Sequence, residues 1–184
     1  MPNATPPAPN PVTAVDAYIA SLFDALGSRN PIEVLRQTPD AVRLAVEESS
    51  REQLTAPEAP GKWSMLQVVQ HLADSELVGG VRFRMVLSQD RPTLAGYDQD
   101  LWASRLHYQD APVESALEQF AILRRVNLRL LESATPAEHE RVGLHVERGE
   151  ESLGKMIRMY AGHDVVHLRQ LARIHAAVRS RPAR

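Results

Sequence analysis

The chain has 184 residues, of which 43% are hydrophobic and 24% are charged, and its formal net charge is −2. This length suffices for one domain with a buried core, and the near-neutral charge gives no global attraction to nucleic acids or anionic membranes. The sequence contains no cysteine, which excludes disulfides, thiolate nucleophiles, iron–sulfur clusters and zinc sites with cysteine ligands.

The two ends differ in composition from the rest of the chain. Residues 1–11 contain five prolines and residues 179–184 are basic, so we predict a disordered proline-rich arm and a frayed basic tail around a single domain at 12–178. The first residues lack the basic and apolar regions of a secretory signal peptide. No apolar run reaches the roughly 20 residues that a membrane span needs. The default expectation is therefore a cytoplasmic protein without a membrane or nucleic-acid partner.

Hydrophobic periodicity predicts helices in the first part of the domain. One helix is expected over residues 13–27, ended by Gly27. The next covers residues 31–50, and Pro39 is expected to interrupt it because proline lacks the amide hydrogen that a helix interior uses.

A long helix is expected to begin after Ser64 and to end near Ser88. Ser64 and Gln67, three residues later, form the pattern of a capping box, in which each side chain bonds to the other's backbone amide. The connection that follows, residues 89–111, contains one short predicted helix at Asp98–Ser104. Its length indicates a functional segment or a crossover between distant helices.

The C-terminal part is also mainly helical. Residues 112–133 carry an apolar stripe, and Thr135 caps a further helical turn. Residues 143–149 are predicted to form an irregular or hairpin-like loop, after which Ser152 starts a last helix that ends near Val178. Because no convincing set of strands is present, we expect four principal helices around one core.

Three histidines within these helices are candidate metal ligands. His163 and His167 are four residues apart and project from one helix face, and His71 lies on the helix that follows Ser64. Three imidazoles leave coordination positions open for water or substrate, as catalytic metal sites require. The spacing alone also suits surface or core histidines. The apolar residues around the pair favour a metal, because buried imidazoles need partners.

The segment from His163 to His167 also approaches the metallopeptidase motif H-E-x-x-H, with Asp164 at the position of the general base. Aspartate is one methylene shorter than glutamate, and no sheet edge is predicted that would bind a peptide. We therefore do not favour a peptidase.

Several segments carry a family resemblance, namely G-K-W-S-M-L-Q-V-V-Q-H-L-A-D at 61–74, R-F-R at 82–84, R-P-T at 91–93, Y-D at 97–98 with Trp102, and Y-A-G-H-D-V-V-H at 160–167. Over about residues 31–175 the chain resembles the DinB-like superfamily, in particular its YfiT-type metal-dependent hydrolase branch. The resemblance implies an all-α, DinB-like four-helix bundle with a long crossover connection. It also implies a metal held by His71, His163 and His167, and a homodimer. Residues 1–30 have no place in the family pattern, so the helix predicted over residues 13–27 is an extra N-terminal helix beside the four-helix bundle.

Five further residues are candidates for the metal's outer shell or for the pocket. Asp74 or Asp164 could orient a ligand imidazole, although a solvated carboxylate explains Asp74 equally well and Asp164 better. Tyr160 could face the cavity or pack in the core. Arg82 could bind a carboxylate, with a structural ion pair as the favoured alternative. His145 is a possible pocket residue, and no catalytic residue is assigned.

These observations predict a metal-dependent enzyme with a small-molecule substrate and one divalent ion, Zn²⁺ or Ni²⁺. Such an ion activates water for hydrolysis or stabilises a thiolate for transfer to an electrophile. Relatives in the family include S-transferases that use low-molecular-weight thiols, so hydrolysis and thiol transfer are about equally favoured. The alternative is a non-catalytic metal-binding helical dimer with a stress-associated or binding role.

Overall fold

The computed structural model describes the backbone of residues 11–180 and the side chains of residues 15–180. In chain order, the described residues form α1 (Pro11–Leu26), α2 (Pro31–Val46), α3 (Arg51–Thr55), α4 (Met65–Ser88), β1 (Thr93–Leu94), α5 (Gln99–Arg105), α6 (Val113–Ser133), α7 (Pro136–His139), β2 (Val142–His145), β3 (Gly149–Ser152) and α8 (Leu153–Arg179). Within this part of the chain, no helix is long and apolar enough to cross a membrane.

Four long helices form the bundle, as predicted. Helix α4 packs against α6 and α8, and α2 packs against the same two helices from the opposite side. Helix α1 lies outside this ring against α8, where a Cβ on Gly162 would come within 2.2 Å of the Leu22 carbonyl oxygen. Only glycine at this position allows the two backbones to approach so closely. The extra N-terminal helix is therefore packed onto the bundle.

The predicted caps are confirmed. Ser64 and Gln67 form the reciprocal capping box at the start of α4, and Thr135 and Ser152 cap α7 and α8. The helix predicted over residues 31–50 ends earlier, since α2 stops at Val46. Ser50 is instead the N-cap of the separate short helix α3. The predicted N-terminal arm lies outside the described residues except for Pro11, which begins α1. Of the predicted tail, Arg179 ends α8 and residues 181–184 are not described.

A small sheet was not predicted. Strand β2 pairs with β3 as an antiparallel hairpin and with β1 in parallel register. A Cβ on Gly143 in β2 would lie 2.7 Å from the Leu94 side chain and 2.9 Å from that of Val86. The glycine thus allows the sheet to pack tightly on α4, and β1 anchors the long crossover to the bundle.

A buried polar layer lies between the two larger of the three apolar clusters in the described residues. The cluster on one side includes Leu72, Phe120 and Leu171, and the cluster on the other side includes Phe83 and Leu153. Between them, α2, α4, α6 and α8 each contribute a buried polar side chain, namely Thr38, Glu76, Arg124 and Asp164.

Arg124 is the centre of this layer. Its guanidinium bonds to both carboxylate oxygens of Asp164, at 2.6 and 3.1 Å, and lies 2.9 Å from Glu76 Oε2. Glu76 also accepts a bond from Asn127 at 2.8 Å. Burial raises the pKa of the Glu76 carboxyl, which Arg124 opposes by its positive charge. The arginine therefore stabilises two carboxylates that would otherwise be costly to bury.

The predicted interruption at Pro39 is wrong, since α2 continues through it. Proline at this position cannot donate to the carbonyl of Leu35, four residues earlier. Arg124 Nη1 donates to that carbonyl instead, at 2.7 Å. The acceptor that proline leaves without a helical partner is thus satisfied from α6.

Arg124→Met is expected to lower the free energy of unfolding of the metal-free protein by about 3–5 kcal/mol, because it leaves two buried carboxylates without their counter-ion. Urea unfolding followed by circular dichroism measures this change. Arg125→Met is the matched control, since Arg125 is the exposed neighbour on the same helix, and it should change stability by no more than about 0.5 kcal/mol. Equal stability of the two variants would contradict the role assigned to Arg124.

Candidate metal centre

The structure brings the three predicted histidines together between α4 and α8. His71 is in the second turn of α4, and His163 and His167 occupy successive turns of α8. The Nε2 atom of His163 lies 3.0 Å from the Nε2 atoms of both His71 and His167. One nitrogen of each ring lies within 4.8 Å of the other two. Imidazole nitrogens bind Zn²⁺ at about 2.0–2.1 Å, so two ligands of one ion can be at most about 4 Å apart, and the short spacings fit a shared ion.

Hydrogen bonds among the rings cannot account for this arrangement. In a neutral imidazole, each nitrogen carries either one hydrogen or one lone pair. His163 Nε2 can therefore bond to one of its two neighbours and not to both. A cation accepts lone pairs from all three nitrogens at once, and this donor set fits a divalent metal.

The surroundings favour the neutral rings that a metal requires. Burial lowers the pKa of His71 to about 3, with a further contribution from the charge of His167. Burial also lowers the pKa of His163 well below its usual range, and it lowers that of His167. The lone pairs are therefore available for coordination at neutral pH.

Gln170 is a functional residue that the sequence analysis missed. Its Oε1 atom lies 2.8 Å from His167 Nδ1, which places the ring hydrogen on Nδ1 and leaves the lone pair on Nε2. The residue lies three positions after His167, and this helical spacing could have revealed it. On the other side, the Trp63 ring contacts the His71 ring edge-on, with centroids 5.1 Å apart.

The two carboxylates proposed to orient the imidazoles do not do so. Asp74 accepts hydrogen bonds from Tyr108 at 2.5 Å and from Gln119 at 3.3 Å. Asp164 is bound to Arg124 in the buried layer. Neither hydrogen-bonds to an imidazole. Asp74 instead links α4 to the crossover and to α6. Asp164 links α8 to α6, and it is buried rather than solvated as the favoured alternative held.

A cavity of about 440 Å³ opens beside the histidines, a size that suits a small molecule. Its walls include His71 and His163. The other lining residues come from α1, α4, the crossover, the β2–β3 hairpin and α8, namely Val15, Tyr18, Leu22, Ser75, Arg82, Gly96, Tyr97, Gln99, His145, Glu147, Arg148, Met159 and Tyr160. Three of the predicted pocket candidates, Arg82, His145 and Tyr160, therefore line one cavity with the candidate ligands.

Tyr160 forms part of the cavity wall, where burial raises its pKa to about 12. Its ring lies against Gly79 of α4, where a Cβ would come within 2.6 Å of the ring. The structural ion pair favoured for Arg82 is absent, since no carboxylate among the described residues lies within ion-pair distance of it. The guanidinium instead donates to the Ala95 carbonyl at 2.6 Å.

Comparisons with known proteins agree with this geometry. The family model described as the DinB superfamily matches residues 34–171. A relative from Oceanobacillus iheyensis, named "Putative metal-dependent hydrolase", is 31% identical over 137 residues, which is 74% of this chain and 79% of the relative. A relative of the same name from Bacillus licheniformis is 33% identical over 138 residues, or 73% and 77% of the two chains.

The fold is also that of a solved structure, YfiT from Bacillus subtilis. The two superpose with a TM-score of 0.71 at 25% sequence identity, over 92% of each chain. YfiT is described as "a probable metal-dependent hydrolase with an unusual four-helix bundle topology". The DinB-like four-helix bundle predicted from the sequence is thereby confirmed, with the small sheet as an addition to a mainly helical chain.

His71→Ala is expected to reduce bound metal from about one ion per chain to near zero, because two imidazoles alone hold a divalent ion weakly. Mass spectrometry of protein purified without an affinity tag measures the metal content. His107→Ala is the control, since the His107 side chain is 76% exposed and lies in the crossover. Full metal content in a variant with both His71→Ala and His167→Ala would contradict the three-histidine assignment.

The metal-free protein is expected to lose stability as the pH falls from about 6.5 toward 3, since His71 titrates near 6.5 when unfolded and at about 3 when folded. The unfolded chain binds more protons in this window, so acid favours unfolding. Urea unfolding at several pH values measures the loss. It should be smaller in His71→Gln, and a variant with the same pH dependence as the parent protein would contradict this explanation.

Proposed function

This chain is a member of the DinB superfamily, and we propose that it is an enzyme of the metal-dependent hydrolase type with a small-molecule substrate. One observation carries the proposal: three neutral imidazole nitrogens converge on one point, and two of the three rings, those of His71 and His163, line a cavity. The names of the relatives support the same function. Zn²⁺ and Ni²⁺ are the favoured ions because imidazole ligands suit both.

His71, His163 and His167 would hold the ion, and Gln170 fixes the ring of His167. A divalent ion there would act as a Lewis acid that makes water, or a substrate thiol, a nucleophile near neutral pH. Three neutral ligands would leave the full positive charge of the ion in the site, which favours an anionic nucleophile.

Thiol transfer is the second candidate. It is favoured because the carboxylates near the histidines are engaged elsewhere and cannot serve as the base that hydrolysis needs. Hydrolysis commonly uses a side-chain base to remove a proton from water. Asp74 and Asp164 are both occupied by other hydrogen bonds. A low-molecular-weight thiol ionises closer to neutral pH, at a pKa of about 8.5, and needs less help from a base. The chain has no cysteine, so the thiol would come from a co-substrate.

Activity is expected to require the metal under either reaction. Protein stripped by a chelator should hydrolyse a panel of small esters and amides at background rate, and one equivalent of Zn²⁺ or Ni²⁺ should restore turnover. His163→Ala should stay inactive after metal addition, whereas the control His107→Ala should regain full activity. Metal-independent turnover would refute the proposal. Stoichiometric metal without turnover of any panel member, and without thiol-dependent release in the assay below, would favour the non-catalytic metal-binding alternative.

The same metal-loaded protein separates hydrolysis from thiol transfer. A chlorinated aromatic electrophile is supplied with several low-molecular-weight thiols, and chloride release is measured with and without each thiol. Thiol-dependent release that needs the metal would favour the transferase. Release at the uncatalysed rate, together with ester or amide cleavage, would favour the hydrolase.

The homodimer implied by the resemblance and the cytoplasmic location stay predictions. Light scattering on a size-exclusion column tests the first.

A further inference from the structure

Arg82 is a buried cation at the cavity wall. It lies three turns after His71 on α4, and only 6% of its surface is exposed. Two other arginines that are not exposed have carboxylate partners, since Arg124 binds Asp164 and Arg148, at the same cavity wall, binds Glu151. Arg82 has no such partner among the described residues. Burying a cation without a counter-ion costs free energy, so an acceptor from outside the chain would compensate it.

The hydrogen bonds of Arg82 leave donors unused. Nη2 donates to the Ala95 carbonyl, which holds the guanidinium in place. Nε is buried and has no hydrogen-bond partner. Nη1 has only a long contact of 3.5 Å with the Tyr160 hydroxyl. The guanidinium is therefore positioned by the protein but not satisfied by it.

His145 adds a second donor beside Arg82. Its Nδ1 atom accepts the backbone amide hydrogen of Glu147 at 3.2 Å, so the neutral ring carries its hydrogen on Nε2. That Nε2 atom lies 3.3 Å from Arg82 Nη2, which places two donors side by side. Burial and the charges of Arg148 and Arg82 lower the pKa of His145 to about 4. The ring is thus neutral at pH 7, and the pair lacks an acceptor.

The charges at this end of the cavity suit a singly charged acceptor. Arg82 supplies one positive charge, and the charge of Arg148 is matched by Glu151. The Glu147 carboxylate lies at the same wall, and it would repel a dianion about twice as strongly as a singly charged group. A carboxylate therefore fits better than a phosphate group.

We propose that the cavity binds a small-molecule carboxylate, with the carboxylate held by Arg82 and His145 and the reactive part of the molecule directed to the three histidines. His71 and Arg82 are 11 residues apart on α4, or about 16 Å along the helix axis. The carboxylate and the reactive group are therefore at opposite ends of the ligand. The direction of the reactive end rests on the proposed function, whereas the carboxylate site does not.

Binding to the metal-free protein tests the carboxylate site independently of catalysis. Isothermal titration calorimetry compares 4-phenylbutyrate with its uncharged amide, 4-phenylbutanamide, and with inorganic phosphate. The acid should bind at least about tenfold more tightly than the amide, because charge-assisted hydrogen bonds exceed neutral ones. The acid should also bind more tightly than phosphate.

Three variants assign the preference to Arg82. Arg82→Gln should abolish the preference for the acid over the amide, and Arg82→Lys, which keeps the charge, should restore part of it. Arg43→Gln is the control, because Arg43 is exposed on α2, and it should leave the preference unchanged. Circular dichroism and unchanged metal content verify that each variant is folded.

Equal binding of acid and amide, tighter binding of phosphate, absence of acid binding, or a preference that persists in folded Arg82→Gln would each overturn the proposal. A site that binds the acid in a protein without metal-dependent turnover would support the carboxylate site and refute the proposed enzyme. The two hypotheses therefore fail separately.

Discussion

The bundle depends on the contacts that one buried group, the guanidinium of Arg124, makes with the other helices. From α6 it reaches Glu76 on α4, Asp164 on α8 and the Leu35 carbonyl on α2. One side chain thus links all four principal helices in the middle of the core. Because its hydrogen bonds are directional, it fixes the rotation of each helix in a way that apolar packing alone does not.

This constraint extends to the candidate metal centre. Asp164 directly follows His163 in the sequence, so binding of its carboxylate to Arg124 sets the rotation of α8 at that turn. His163 and His167 are consequently directed toward α4, where His71 lies among apolar residues of one core cluster. The acidic residue that resembles a catalytic base in the sequence is a structural residue that holds the imidazoles in register.

Local sequence signals predicted most of the fold, and tertiary contacts explain the errors. Ser64 marked the start of α4 because capping is decided by neighbouring residues. Pro39 was misjudged because the donor that replaces its missing bond comes from Arg124, 89 positions away from Leu35 in the chain. The hairpin of β2 and β3 was predicted only as an irregular or hairpin-like loop, and β1 was missed, because two to four residues are too few to show a periodic signal. Strand β2 also packs on α4 through Gly143, which is a tertiary contact.

For the candidate site, too, local sequence predicted some features and others depend on tertiary contacts. The three histidines were predicted because the sequence frame of His71, together with the distant pair His163 and His167, resembles the pattern of the DinB-like family. The sequence could not show that Arg82 lacks a carboxylate partner, since a missing contact is visible only once the chain is folded.

Because α1 packs on the outside of the bundle at Gly162, the shape of the cavity and the spacing of the metal ligands depend on different helices. Helix α1 supplies Tyr18 and Leu22 to its wall but none of the candidate ligands, and it lies outside the segment that matches the family model. Substitutions in α1 can therefore widen or narrow the cavity while the spacing of the imidazoles is unchanged. In this architecture, the choice of substrate and the coordination of the ion can diverge independently in evolution or in the laboratory.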